Sequence, residues 1–235
     1  MGNARSLMIL VDLTKYFFRF ILSDRRKKYG KTIDGEEIFS SNYQDLAVIK
    51  LFDRKHGGTY VEIGAQDAVK RSNSYALEIN YGWRGLSFEI DREYVRFFNW
   101  FRHNTCIEGD ATKHDYAEIF NQHALPKIID YLQIDIDPPE ASLAVLKQIP
   151  FDQFSFSFIT FEHDAYQFGQ QTALAQRQIL ELNGYVPLAL DVSQDNKPFE
   201  DWWVSQAIFA KLADKTDLPL KNQDCQTIAI ELARL

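Results

Sequence analysis

The segment Gly58-Thr59-Tyr60-Val61-Glu62-Ile63-Gly64-Ala65-Gln66-Asp67 reads as a short buried strand running into a glycine turn. Tyr60 to Ile63 form an apolar run with β-propensity, and Gly64 marks a point where backbone must come close to something. A dinucleotide fingerprint would set three glycines here to admit a pyrophosphate. This turn has one, flanked by Glu62 and Asp67. Carboxylates repel phosphate and suit a cationic ligand rich in hydroxyls. S-adenosylmethionine, with a sulfonium, an ammonium and a ribose, meets that description. Gly64 then faces the methionine part, and Glu62 or Asp67 holds the ammonium.

Downstream of this turn, strands and helices alternate. Strands are expected over 60–63, 85–90, 104–107, 131–136, 154–161, 185–190 and 227–232. Helices are expected over 44–55, 91–102, 115–123, 141–148, 172–182 and 202–212. The alternation predicts an α/β fold: a Rossmann-like, mostly parallel seven-stranded sheet with an antiparallel edge strand and helices on both faces. Ligands of such sheets bind beyond the carboxyl ends of the strands. Those positions are acidic in this chain.

After the second strand stands Glu89, about where an acid takes both ribose hydroxyls of a bound adenosine. After the third, Asp110 is placed to accept the adenine amino group, with the Ala111 amide beside it; Asp110 also reads as a helix cap. After the fourth come Asp135 and Asp137, separated by Ile136, so that an extended segment would set both on one face. Two close carboxylates repel unless a proton or cation lies between them. After the fifth come Glu162, His163 and Asp164. Hard oxygen donors and one imidazole suit Mg²⁺ or Mn²⁺, with Asp135, Asp137, Glu162 and His163 as the ligands. His163 is alternatively a general base oriented by an acid.

The 235 residues are 46% hydrophobic, enough for one α/β domain with a core and a modest extension. A net charge of -7 speaks against a general nucleic-acid binder, so no nucleic acid is expected among the partners. Cys106 and Cys225 have neither metal-site spacing nor the makings of a disulfide framework, and a reducing cytoplasm is the expected compartment. Residues 7–22 are apolar, with Asp12, Lys15 and Arg19 on one narrow face. This amphipathic helix is too short and too charged to span a bilayer. Arg25, Arg26, Lys27, Lys28 and Lys31 follow it. Residues 7–31 therefore suit peripheral contact with an anionic membrane, packing on the domain, or a homodimer. Residues 1–40 are read as the amphipathic helix and a basic linker, and 41–235 as the main domain.

Several motifs, in order, resemble the FkbM-type class I S-adenosylmethionine-dependent methyltransferases over about residues 40–190. Ser41-Asn42-Tyr43-Gln44-Asp45 is similar to the family's Ser-Gln-x-x-Gln-Asp, and residues 60–68 to its Phe-Val-Glu-Ile-Gly-Ala-Asn-Asp-Gly. Ser72-Asn73-Ser74-Tyr75-Ala76-Leu77-Glu78 looks like Ser-Asn-Thr-x-x-Leu-Glu, and residues 82–89 like Gly-Trp-x-Gly-x-x-x-Glu. Gln66 and Ala68 depart from the family's Asn and Gly, and Pro138-Pro139 replace a glycine-containing turn. The resemblance implies methyl transfer to a hydroxyl, often of a sugar or glycan. It implies a cofactor site of Glu62, Gly64, Ala65, Asp67, Ser72, Asn73, Glu89, Asp110, Ala111 and Asp135, with Asp135 and His163 catalytic. Related sugar methyltransferases hold a divalent metal with acids in the places of Asp135, Asp137 and Glu162. Two rivals stand beside this reading. One is an NAD-dependent oxidoreductase, opposed by the missing glycines; the other is a non-catalytic adenosyl-binding scaffold.

Overall fold

The computed structural model describes residues 23–215 and 218–232. The amphipathic helix expected over 7–22 lies outside them. Residues 23–29 form helix α1. Strands β1 (Lys31–Ile33) and β2 (Glu36–Ile38) follow as a hairpin. Its turn, Asp34-Gly35, has both residues left-handed, which matches the twist of the paired strands. Ile38 and Phe39 are buried in the same apolar cluster as Leu46 and Tyr75, so the hairpin is sealed onto the body of the domain.

Eight strands build the main sheet: β3 (Thr59–Ile63), β4 (Arg84–Glu89), β5 (Thr105–Glu108), β6 (Ile128–Ile134), β7 (Ser155–Glu162), β8 (Val186–Gln194), β9 (Lys197–Val204) and β10 (Leu220–Lys221). Their order is β10-β8-β9-β7-β6-β3-β4-β5. Only β9 is reversed, antiparallel to β7 and to β8; the other pairings are parallel. This is a mostly parallel, Rossmann-like sheet with helices on both faces. Helices α2 (Gln44–Leu51), α3 (Tyr75–Tyr81), α4 (Arg92–Phe101) and α10 (Cys225–Glu231) contribute to the apolar cluster on one face. Helices α5 (Tyr116–Gln122), α6 (Pro139–Leu146) and α8 (Gln171–Leu182) contribute to the other, with the one-turn α7 (Ala165–Phe168) between β7 and α8. The strands alternate between the two: Tyr60, Tyr131 and Phe158 join the first cluster, and Val61, Leu132 and Ile159 the second.

Two expected elements are corrected. The segment 202–212 is not one helix. Trp202 and Trp203 belong to β9, and α9 (Gln206–Leu212) begins only after Ser205, whose side chain caps Ile208 N. The last apolar run is α10 rather than a strand. Asp224 caps it through Gln226 N and Thr227 N, and Ile228, Ala229 and Leu232 share its buried face. Short apolar runs fit either period, and the cap decides this one. In consequence the reversed strand sits inside the sheet, between β7 and β8, and not at its edge.

The chain passes from β3 outward to β4 and β5, then returns to lay β6 on the other side of β3. The carboxyl ends of β3 and β6 thus flank the switch point where such sheets open a crevice.

Candidate active site

Gly64 closes β3 at that crevice. Its amide and that of Ala65 both donate to the Phe88 carbonyl at 3.0 Å. Its φ is +94°, and a Cβ placed on it would lie 1.8 Å from the Asp135 backbone oxygen. Only glycine lets the ends of β3 and β6 come this close. Gln66, standing where the resemblance has Asn, takes the left-handed conformation (φ +50°) that Asn favours. On one side opens a cavity of about 630 Å³ lined by Glu62, Ala65, Asn73, Asp135, Asp137 and Glu162. On the other is a cleft of about 100 Å³ lined by Phe88, Glu89, Asp110, Ala111 and Ile136. Gly64 and Asp137 belong to both walls.

Glu89 is nearly buried in the smaller cleft. One of its oxygens accepts Gln66 N at 2.7 Å and the other Asp91 N at 2.8 Å. Each oxygen keeps a second lone-pair site for a ligand hydroxyl. Asp110 caps the turn after β5 by accepting Thr112 N at 3.0 Å and Thr112 Oγ1 at 2.7 Å, and pairs with Lys113 at 3.0 Å. The Thr112 hydroxyl, then Lys113, hold its carboxyl down to about 2. It serves as a cap and still borders the cleft.

Glu62 is buried beneath Gly64 and accepts Ser74 Oγ and Ser87 Oγ, each at 2.7 Å. Burial pushes its carboxyl up, and the Arg102 guanidinium pulls the other way. Arg102 is itself buried and ties the whole turn together. It binds Glu78 at 2.7 Å, the Ala68 carbonyl at 3.0 Å and Ser74 Oγ at 3.0 Å. Two residues expected at the cofactor are engaged elsewhere. Asp67 pairs with Arg25, accepts Val69 N at 2.9 Å and Lys70 N at 2.8 Å, and faces a separate recess beside Trp100. Its charge is spent on the turn itself. Ser72 is buried and braces the loop, its Oγ accepting Tyr75 N at 3.1 Å and Arg102 Nη1 at 3.3 Å. Asn73, by contrast, lines the larger cavity.

The floor of that cavity is acidic. β6 ends at Ile134, so Asp135 and Asp137 stand on the turn beyond it and not on extended strand. Glu162, at the end of β7, is driven far up by burial and by Asp135, keeps its proton, and hydrogen-bonds to Asp135. Burial raises Asp135 itself to about 6, and the bond from Glu162 opposes that rise. Behind them Glu200 of β9 is buried and pushed up to about 8, chiefly by that burial. It accepts Trp202 Nε1 at 2.7 Å and Gln44 Nε2 at 3.2 Å. The signal for Glu200 was in the sequence. In Phe199-Glu200-Asp201-Trp202-Trp203 a strand period sends Trp202 to one apolar cluster and Trp203 to the other. Both tryptophans are core.

His163 is corrected as a partner of these acids. Successive residues leave extended chain on opposite sides, and His163 turns away from the cavity that Glu162 lines. Its Nε2 lies 3.3 Å from Asp201 Oδ1, and its Nδ1 accepts Ala165 N at 3.1 Å. The four-residue metal site is therefore not assembled. Among the described residues the only gathering of metal-type donors is His163, Asp191 and Asp201, within 4.8 Å of one another. The Arg177 guanidinium already supplies the cation there, at 2.7 Å from Asp201 and 2.9 Å from Asp191. The residues present do not fit the expected Mg²⁺ or Mn²⁺ site.

The cavity also holds residues that motif reasoning left without a role. Asn42 and Gln44 each carry a buried side-chain oxygen with no hydrogen-bond partner among the described residues, and both line the wall. Lys31, Lys70 and Arg71 line it too. These groups come from a hairpin and loops distant in sequence from the acids.

No protein-family model matches this chain, and no curated protein does either. Among solved structures it is similar to a putative rRNA methylase from Clostridium thermocellum, at 15% identity and a TM-score of 0.48 over 72% of this chain and 96% of that one. It is similar to fibrillarin from Aeropyrum pernix with natively bound S-adenosyl-L-methionine, at 18% identity and 0.47 over 74% and 81%. An rRNA methylase from Streptococcus thermophilus matches at 12% identity and 0.45 over 69% and 93%. Likenesses this distant carry no residue role across. They do correct the exclusion of nucleic acid, since proteins described as rRNA methylases stand among the neighbours. Net charge is a sum over the whole surface and does not set the potential in one cavity. No helix among the described residues is long and apolar enough to cross a membrane.

Proposed function

We propose that this chain is an S-adenosylmethionine-dependent O-methyltransferase of the FkbM type, acting on a carbohydrate hydroxyl. The observation that carries the reading is the meeting of two cavities at Gly64, with Glu89 held open-handed in one and Asp135 in the other. S-adenosylmethionine, when bound, supplies a methyl group already activated on a sulfonium. The chain must then bind, align and remove one proton. Glu89 accepts the ribose hydroxyls, while Asp110 and Ala111 border the adenine. Gly64, Ala65 and Asn73 receive the methionine part. A dinucleotide pyrophosphate at this turn is disfavoured, because Glu62 lies under the close backbone approach at Gly64. The orphaned oxygens of Asn42 and Gln44 accept hydroxyls of a polyol acceptor. Asp135 takes the acceptor proton, with the protonated Glu162 hydrogen-bonding to its carboxylate as charge changes. Residues 41–235 are assigned as the catalytic domain, with the 1–40 segment lending Tyr29, Lys31 and Phe39 to the cavity wall.

Calorimetry tests the cofactor. S-adenosylhomocysteine should bind with a dissociation constant on the order of micromolar and NADH should not. Binding of NADH alone would return the oxidoreductase. Transfer of labelled methyl from S-adenosylmethionine onto a panel of sugars tests the acceptor class, and label on none of them but on a protein or nitrogen acceptor removes it.

A further inference from the structure

The larger cavity is charged in two opposite senses. Its floor is Asp135, Asp137 and Glu162; its wall also carries Lys31, Lys70 and Arg71. Nearby cations are neutralised locally, Arg25 by Asp67 and Arg26 by Glu37. Lys31, Lys70 and Arg71 have no carboxylate within ion-pair distance among the described residues, although the chain holds 33 acids to 26 basic residues. Lys70 rests only against the ring of Tyr29, 5.8 Å from its centroid. The three cations are all exposed to solvent and come from different elements. Lys31 lies on β1, whereas Lys70 and Arg71 lie on the loop between β3 and α3. Arg71 is held in the left-handed region (φ +63°), uncommon for so large a residue, and a bridge to Ser40 pins its backbone there.

Resting on the methyltransferase reading of this cavity, we infer that its acceptor carries a phosphate monoester close to the hydroxyl that is methylated, and that Lys31, Lys70 and Arg71 bind the phosphate. S-adenosylmethionine has a single carboxylate. Three unpaired cations are more than that one carboxylate requires. Unpaired cations at the wall and acids at the floor orient a bipolar acceptor, with its anion outward and its hydroxyl toward Asp135. Arginine and lysine give charge-assisted bonds to phosphate oxygens, which an uncharged sugar cannot receive.

The test uses the full chain saturated with S-adenosylhomocysteine. Glucose 6-phosphate, ribose 5-phosphate and AMP are titrated by calorimetry against glucose, ribose and adenosine. The phosphorylated compounds should bind about tenfold tighter than their parents. In the double variant Lys70→Gln, Arg71→Gln that preference should shrink to about twofold, with S-adenosylhomocysteine affinity unchanged. Lys31→Gln, on a separate hairpin, should lose part of the preference by itself, which guards against a loop variant that fails to fold. Tighter binding of AMP than of ribose 5-phosphate assigns the phosphate to a nucleotide, and equal binding assigns it to a sugar phosphate. Equal binding of phosphorylated and parent compounds to the wild type overturns the inference. So does a double variant that loses S-adenosylhomocysteine while keeping the preference, because the cations then hold the methionine carboxylate. A wild type that binds sugar phosphates through these residues, but not S-adenosylhomocysteine, keeps the anion site and removes the methyltransferase reading.

Discussion

Replacing Glu89 by Gln isolates the charge on which the cofactor reading depends. In the wild type the two carboxylate oxygens each accept one backbone amide, Gln66 N at 2.7 Å and Asp91 N at 2.8 Å, which fixes the carboxyl plane at the cleft. Both oxygens retain capacity for ribose hydroxyls. In Glu89→Gln one oxygen becomes an NH₂ facing an amide donor, so one backbone bond and one acceptor are lost together. Hydrogen bonds to an ionised group are roughly twice as strong as neutral ones, so two weakened ribose contacts cost about 2–3 kcal/mol. That corresponds to a dissociation constant for S-adenosylhomocysteine raised roughly 50-fold. The lost backbone bond destabilises the fold by about 1–3 kcal/mol, a fall of several degrees in Tm for a chain this long. Calorimetry and thermal melting are run on the same preparations. A dissociation constant within about threefold of wild type, in a variant that still melts cooperatively, refutes the assignment of Glu89 to the ribose.

Four other substitutions probe different parts of the reasoning. Gly64→Ala places a Cβ 1.8 Å from the Asp135 oxygen at φ +94°, and should cost about 3 kcal/mol or more while abolishing S-adenosylhomocysteine binding; an unchanged Tm counts against the close approach of β3 and β6. Arg102→Met leaves Glu62 and Glu78 buried without their cation and should cost about 3–5 kcal/mol in urea unfolding. Asp135→Asn should lower kcat by about 10²–10⁴, and wild-type kcat should rise as pH passes through about 6, where Asp135 ionises; a flat profile removes it as the base. Glu200, raised by burial to about 8 from an ordinary 4.5, binds its proton more tightly in the folded state. Its contribution to stability is therefore largest at acid pH and is lost as pH rises through about 8. Glu200→Gln should be more stable than wild type above that pH, by on the order of 3–5 kcal/mol, with the two converging near pH 4; parallel pH profiles would sink this account.

The places where sequence and structure part share a cause. The acids after β3, β4, β5 and β6 were legible because a parallel sheet puts its ligand groups at strand ends, and the strands themselves were marked by apolar runs. Which way each acid faces was not. Asp67 met Arg25, some forty residues earlier, and His163 met Asp201, some forty later. The strand signal at Glu200 is masked in the sequence because the apolar run from Trp202 fits a helix as well as a strand, and only packing sends Trp202 and Trp203 to opposite faces of β9. The metal site fell for the same reason: consecutive residues at a strand end point to opposite faces, so Glu162 and His163 do not share a ligand.

The α/β class, the glycine at the crevice and the set of acids that build the site can all be read along the chain. Those follow from hydrophobic periodicity and from the rarity of a glycine bracketed by carboxylates, which are local properties of the chain. Packing set the rest. It inserted β9 between β7 and β8, set Glu162 beside Asp135, gave His163 to Arg177's network, and brought Lys31 and Arg71 to the cavity wall. These outcomes depend on which residues meet across the sheet and on how deeply each charge is buried. Neither quantity exists until the strands have packed.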